Sequence, residues 1–96
     1  MIYLDTPHVI SASHHRAPWC FRGRECAHLM ADTEPELVAY AVSLGMSASW
    51  LQYPGTVRAH FDLTGRFLER ARRDPGVRKV TPAEMVRWYM KRRSDA

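Results

Sequence analysis

Two short stretches, "TEPE" at 33–36 and "TPAE" at 81–84, do most to limit what this chain can fold into. In each, a threonine precedes a glutamate by three residues, with a proline between or beside them. A threonine hydroxyl can accept from the backbone N–H three residues on, and the glutamate can reach back to the threonine's own N–H. Proline is harmless in a first helical turn, because the N–H it lacks has no helical partner there. Both stretches therefore mark helix starts. After the first, Leu37, Val38, Ala41, Val42 and Leu44 recur at helical spacing until Gly45 stops the run. After the second, Met85, Val86, Tyr89 and Met90 form the apolar stripe, and Arg87, Lys91, Arg92 and Arg93 crowd the end that a helix dipole makes favourable for cations.

Short apolar runs alternate with these helices. "MIYLD" reads as a buried strand that delivers Asp5 to its C-terminal end. "CAHLMAD" fits either a short strand or one helical turn placing His28 and Asp32 at i, i+4. "SWLQY" at 49–53 reads as a strand closed by Pro54-Gly55. A further helix is expected from about Leu63 to Arg73, burying Phe67, Leu68 and Ala71, and "VRKV" at 77–80 is a last strand. Residues 6–23, rich in Pro, Ser and His, have no clean period and read as one long loop. The alternation predicts a single compact α/β domain over 1–96. Its sheet is expected to be small and mainly parallel, of three to four strands, with about three helices and a basic end at 91–96. Ligands of such sheets bind beyond the carboxyl ends of the strands, where Asp5 would stand.

Ninety-six residues, 46% hydrophobic and 25% charged, suit one ordinary globular core. No apolar run approaches the roughly 20 residues that span a bilayer, and "MIYLDTPHVI" lacks the basic start of a signal peptide, so no membrane role and a cytoplasmic location are the default expectations. The formal charge of +4 is unevenly placed. Residues 1–55 carry three arginines against five acids, a net of −2, whereas residues 56–96 carry eleven Arg and Lys against five acids, a net of +6. A basic half suits a polyanion such as nucleic acid or a nucleotide, although a solvated helix face explains the same charges.

The chemistry-bearing residues are Asp5, His28, Asp32, His60 and Asp62. Neutral imidazole and ionised carboxylate together suit a divalent metal, with His28, His60 and Asp62 the metal-ligand choice. Such an ion can lower the pKa of bound water toward 7. Without a metal, a His–Asp pair is a general base oriented by a carboxylate. Gln52, Arg58 and Arg66 are the candidates for holding substrate. Each residue also has a structural reading: Asp62 as the cap of a helix starting near Leu63, Asp32 closing a turn, Asp5 bonding loop amides near Thr6-Pro7. Cys20 and Cys26, with His14, His15 and His28, can be drawn as a zinc site, but the five-residue spacer is too wide and reduced thiols fit better. No G-x-S-x-G elbow, P-loop or G-x-G-x-x-G is present. Trp19, Phe21, Trp50, Tyr53 and Phe61 are available to stack on bases, or to anchor core and loops.

"CAHLMADTEPELVAYAVSLGM", followed by "WLQ" and "HFDLTG", resembles a small bacterial and phage family, catalogued as domain of unknown function 4031. That family's pattern is a strand ending in Asp, a His-Leu-apolar-Ala-Asp block, a Glu-Leu-rich helix ending in Gly, an aromatic-Gln pair and a His-Tyr-Asp block, closed by a strand and a short helix. The similarity covers about residues 1–6 and 24–85. It implies a shared polar site at Asp5, His28, Asp32, Gln52, His60 and Asp62, and a phage or bacterial source, but no activity. Phe61 stands where the pattern has Tyr, which removes a hydroxyl, and the loop at 8–22 departs from it.

Two functions compete on these grounds. One is a metal-assisted hydrolase acting on a phosphodiester or nucleotide. The other is a non-catalytic accessory module binding nucleic acid or a host protein, its polar residues locking a loop to the sheet.

Overall fold

The strand at the centre of the fold is "ECAHLMA", buried on both faces over most of its length. In the computed structural model, which describes residues 1–9 and 24–95, this strand is β3, Glu25–Ala31. The helical alternative for "CAHLMAD" is thereby excluded. Around β3 lie β1 (Ile2–Leu4), β2 (His8–Val9), α1 (Glu34–Ser43), β4 (Phe61–Leu63), α2 (Gly65–Arg73), β5 (Val77–Lys79) and α3 (Pro82–Asp95). The sheet is mixed, not mainly parallel. β3 pairs antiparallel with β1, β2 and β4, and only β1 and β5 run parallel.

Two departures from the expected elements account for that difference. The stretch at 49–53, expected to be a strand, instead holds a 3-10 turn at Ala48–Trp50 and a single bridge between Gln52 and His60. The chain folds back on itself there and enters β4 antiparallel to β3. Part of the expected 6–23 loop also joins the sheet as β2, with His8 opposite Cys26. The expected helix from Leu63 begins later, at Gly65, because Phe61–Leu63 belongs to β4.

One face of the sheet builds the core. Ile2, Leu4, Ala27, Leu29, Ala31, Phe61, Leu63 and Val77 pack with Leu37 and Ala41 of α1 and with Leu68 and Ala71 of α2. Alternation puts the intervening residues on the second face: Tyr3 and Asp5, Cys26, His28 and Met30, Asp62, Arg78. α3 lies against this second face, where its buried Met85 and the Trp88 ring, 5.2 Å from that of Tyr3, make contact. Val86 and Met90, expected on the same apolar stripe, are about half exposed.

Both threonine caps form. The Thr33 hydroxyl accepts from the Glu36 N–H at 3.3 Å, and that of Thr81 from the Glu84 N–H at 3.1 Å. The reciprocal half of the first box does not form, because the Glu36 carboxylate accepts from the Met1 ammonium at 2.6 Å instead. Gly45 ends α1's turn at a left-handed φ of 101°, as its position predicts. No helix among the described residues is long and apolar enough to cross a membrane.

Candidate metal centre

In a strand, residues two apart point to the same face, so the "HFD" triplet sends His60 and Asp62 one way and Phe61 the other. Phe61 is fully buried in the core. Asp62 stands directly across from His28 in the antiparallel ladder, and His60 is fixed by its two-way backbone bridge to Gln52, at 2.9 and 3.1 Å. Three side chains from two strands thus converge. One ligand atom from each of His28, His60 and Asp62 lies within 4.8 Å of the other two.

The hydrogen bonds around these groups orient them. His28 Nδ1 donates to Asp5 Oδ2 at 2.7 Å, and the His28 backbone N–H donates to Asp5 Oδ1 at 2.7 Å. Asp5 is buried, and its own N–H donates to the His28 carbonyl at 3.1 Å. His60 Nδ1 lies 2.8 Å from the Arg58 carbonyl, which can only accept, so this nitrogen carries the proton. Both imidazoles therefore turn Nε2 toward Asp62, His28 at 3.7 Å and His60 at 3.4 Å from Oδ1. The second carboxylate oxygen, Oδ2, accepts from the Gln52 amide.

The electrostatics follow from this arrangement. The hydrogen bond to Asp5 raises the His28 pKa above its ordinary value, against the opposing pull of burial, and the Asp5 and Asp62 charges help. Burial pushes the Asp62 carboxyl up, but the hydrogen bond from His60, the two imidazoles' charge and the Gln52 amide together hold it below the usual range. Cys26, buried beside them, has its thiol pushed up to about 12 by burial and by the carboxylates, which leaves it unreactive.

A cleft of about 220 Å³ opens over the site, lined by Asp5, His28, Met30, Arg58, His60, Pro82, Met85, Val86 and Tyr89. The Arg58 guanidinium sits over the rings of Tyr53 and Tyr89, 5.3 and 5.8 Å from their centroids. Tyr53 also stacks on His60 at 5.8 Å, from a backbone φ of 54° that is uncommon outside glycine.

Of the residues singled out in the sequence, Asp5, His28, Gln52, Arg58, His60 and Asp62 come together. Asp32 and Arg66 do not. Four residues of strand separate Asp32 from His28 by about 13 Å. The Asp32 carboxylate instead accepts from the Tyr3 hydroxyl at 2.9 Å and pairs with the Met1 ammonium at 3.1 Å. Arg66 lies over the Phe67 ring and lines no part of the cleft. Asp62 is not a helix cap, since Thr64 occupies that position. The site lies on the sheet's second face under α3, not beyond the strand ends as the sequence suggests. Cys20, His14 and His15 lie outside the described residues. Tyr53 and Tyr89 frame the site through contacts that no spacing announces. His8, stacked on His28 at 5.5 Å, was equally hidden.

Among known proteins, the family described as Protein of unknown function (DUF4031) matches residues 3–92. No curated protein and no solved structure matches the chain.

Proposed function

The chain belongs to this DUF4031 family, whose description carries no activity, and from its site we propose a divalent-metal-dependent hydrolase acting on phosphodiesters or nucleotides. The supporting observation is the orientation of the two histidines. Each commits Nδ1 to a partner, Asp5 or the Arg58 carbonyl, and each points Nε2 at the same oxygen of Asp62. This is the outer-shell arrangement that presets imidazoles for metal. In a tetrahedral site with metal–ligand distances of about 2.0–2.2 Å, neighbouring donors stand roughly 3.3–3.6 Å apart. The two distances to Asp62 Oδ1, 3.4 and 3.7 Å, stand close to that spacing, and all three donor atoms lie within 4.8 Å of one another.

Three protein donors leave a coordination position open, the pattern of catalytic rather than structural sites. A bound divalent ion would supply an activated water near neutral pH and a polarised phosphoryl oxygen. Asp62 would bind through one oxygen, because Gln52 holds the other. Arg58 favours an anionic substrate. Its guanidinium makes no hydrogen bond or ion pair among the described residues, and its carbon lies 5.3 and 5.8 Å from the Tyr53 and Tyr89 ring centroids. An arginine guanidinium can donate to two phosphoryl oxygens at once.

The test uses untagged protein freed of metal, titrated with Zn²⁺ and Mn²⁺ by calorimetry and assayed on bis-p-nitrophenyl phosphate. One ion per chain and metal-dependent turnover are expected. His60→Ala and Asp62→Ala should abolish both, while Arg58→Ala should keep the ion and lower kcat/KM by about 10²–10³-fold. Failure to bind either metal, with both ligand variants folded and as stable as the wild type, would overturn the assignment.

A further inference from the structure

The second face of the sheet carries another opening beside the metal cleft. A groove of about 370 Å³ runs between β5 and α3, walled by Tyr3, Arg78, Arg87, Trp88 and Lys91, with Glu84 also at its margin. Met85 lines both this groove and the cleft, so the two openings adjoin across one side chain. The cations here differ from Arg70, Arg72 and Arg73. On α2, Arg72 pairs with Glu25 and Glu69, Arg73 pairs with Glu69, and Arg70 donates to the Leu44 carbonyl. Arg78, Arg87 and Lys91 are exposed, and none has an ion pair or side-chain hydrogen bond among the described residues.

We propose that this groove binds single-stranded nucleic acid, with phosphates on Arg78, Arg87 and Lys91 and a base against Trp88. The strand then passes over Met85 into the cleft. Cations and an aromatic wall are the two elements by which proteins hold unpaired strands without reading sequence. A mononucleotide would need only Arg58, leaving three unpaired cations beyond Met85 without a partner, whereas a polynucleotide engages all of them. A duplex offers no free base face to Trp88 and is too broad to enter a cleft of about 220 Å³. The groove's role as a substrate channel rests on the hydrolase reading; its capacity to bind does not.

The experiment is fluorescence anisotropy of a labelled 12-nucleotide oligothymidylate with the full chain in EDTA, where no metal-dependent turnover occurs. Four phosphate contacts, on Arg58, Arg78, Arg87 and Lys91, predict a slope of about −2.8 for log K against log salt, since each contributes about −0.7 on a single strand. Replacing Arg87→Gln and Lys91→Gln together, at exposed positions that leave the fold intact, should cut the slope to about −1.4 and weaken binding at least tenfold. Trp88→Leu should weaken binding about tenfold with the slope unchanged. Salt-independent binding, a double variant that binds like the wild type, or a duplex or polyglutamate that binds as tightly as the oligonucleotide would each overturn the proposal. The two proposals fail separately. Cleavage of the small diester with no groove-dependent oligonucleotide binding refutes the groove alone, and the reverse result refutes the hydrolase alone.

Discussion

At the scale of single residues, the position that decides most is Asp5. It is buried, accepts two hydrogen bonds from one histidine and touches no proposed ligand atom of the metal directly. Its carboxylate sets which nitrogen of His28 is free. Asp5→Asn keeps hydrogen-bonding capacity but removes the charge, and should lower metal affinity by about 10–100-fold, read by competition with a chelating dye. The same pair makes a stability prediction for metal-free protein. Because folding raises the His28 pKa above 6.5, the charged pair's contribution is complete below that value and is lost as pH climbs through the folded value. The gap in Tm between wild type and Asp5→Asn, followed in EDTA, should therefore narrow on going from pH 5.5 to pH 9. A gap that widens with pH would show that charge on His28 contributes nothing.

Elements depend on simpler chemistry. The helix starts at Thr33 and Thr81 were legible because a cap needs only one hydroxyl at one spacing, and both hydroxyls make the bond. Thr33→Ala should cost about 1 kcal/mol, or roughly 4–8 °C in Tm for a domain of this size, measured by thermal unfolding. Glu36→Gln should cost less, since its carboxylate pairs with the exposed Met1 ammonium and does not close the box. The elements that were misread are the short ones. "AHFDL" alternates polar and apolar as a strand does, but three residues are too few to announce one, and the helix expected from about Leu63 took in the last of them. "SWLQY" is rich in strand-forming residues, yet Ser47 caps a 3-10 turn there by accepting from the Ser49 N–H at 3.3 Å. Local bonds of this kind outweigh propensity over so few residues.

For the whole molecule, the metal-site reading predicts coupling between ion and fold. Its ligands come from β3 and from the segment entering β4, which lie far apart in sequence, so an ion that binds them binds only the folded chain. At a free metal concentration of one hundred times Kd, stability should rise by about 2.7 kcal/mol, and EDTA should reverse it. Chemical unfolding with and without Zn²⁺ measures this, and His60→Ala should show no shift. An equal gain in that variant would mean the ion binds elsewhere. How much of this could be foreseen divides cleanly by physical cause. The sequence by itself determined the three helices, the strands β1 and β5, and the identities of His28, His60 and Asp62 as metal-competent groups, because capping, periodicity and ligand chemistry act within a few residues. Strand direction, the pairing of His28 with Asp62, the removal of Asp32 to the Met1 end of β3, and the junction of groove and cleft at Met85 were decided only by tertiary structure. Those features depend on which segments meet across the sheet, and that is settled by burying one shared apolar face rather than by any local pattern.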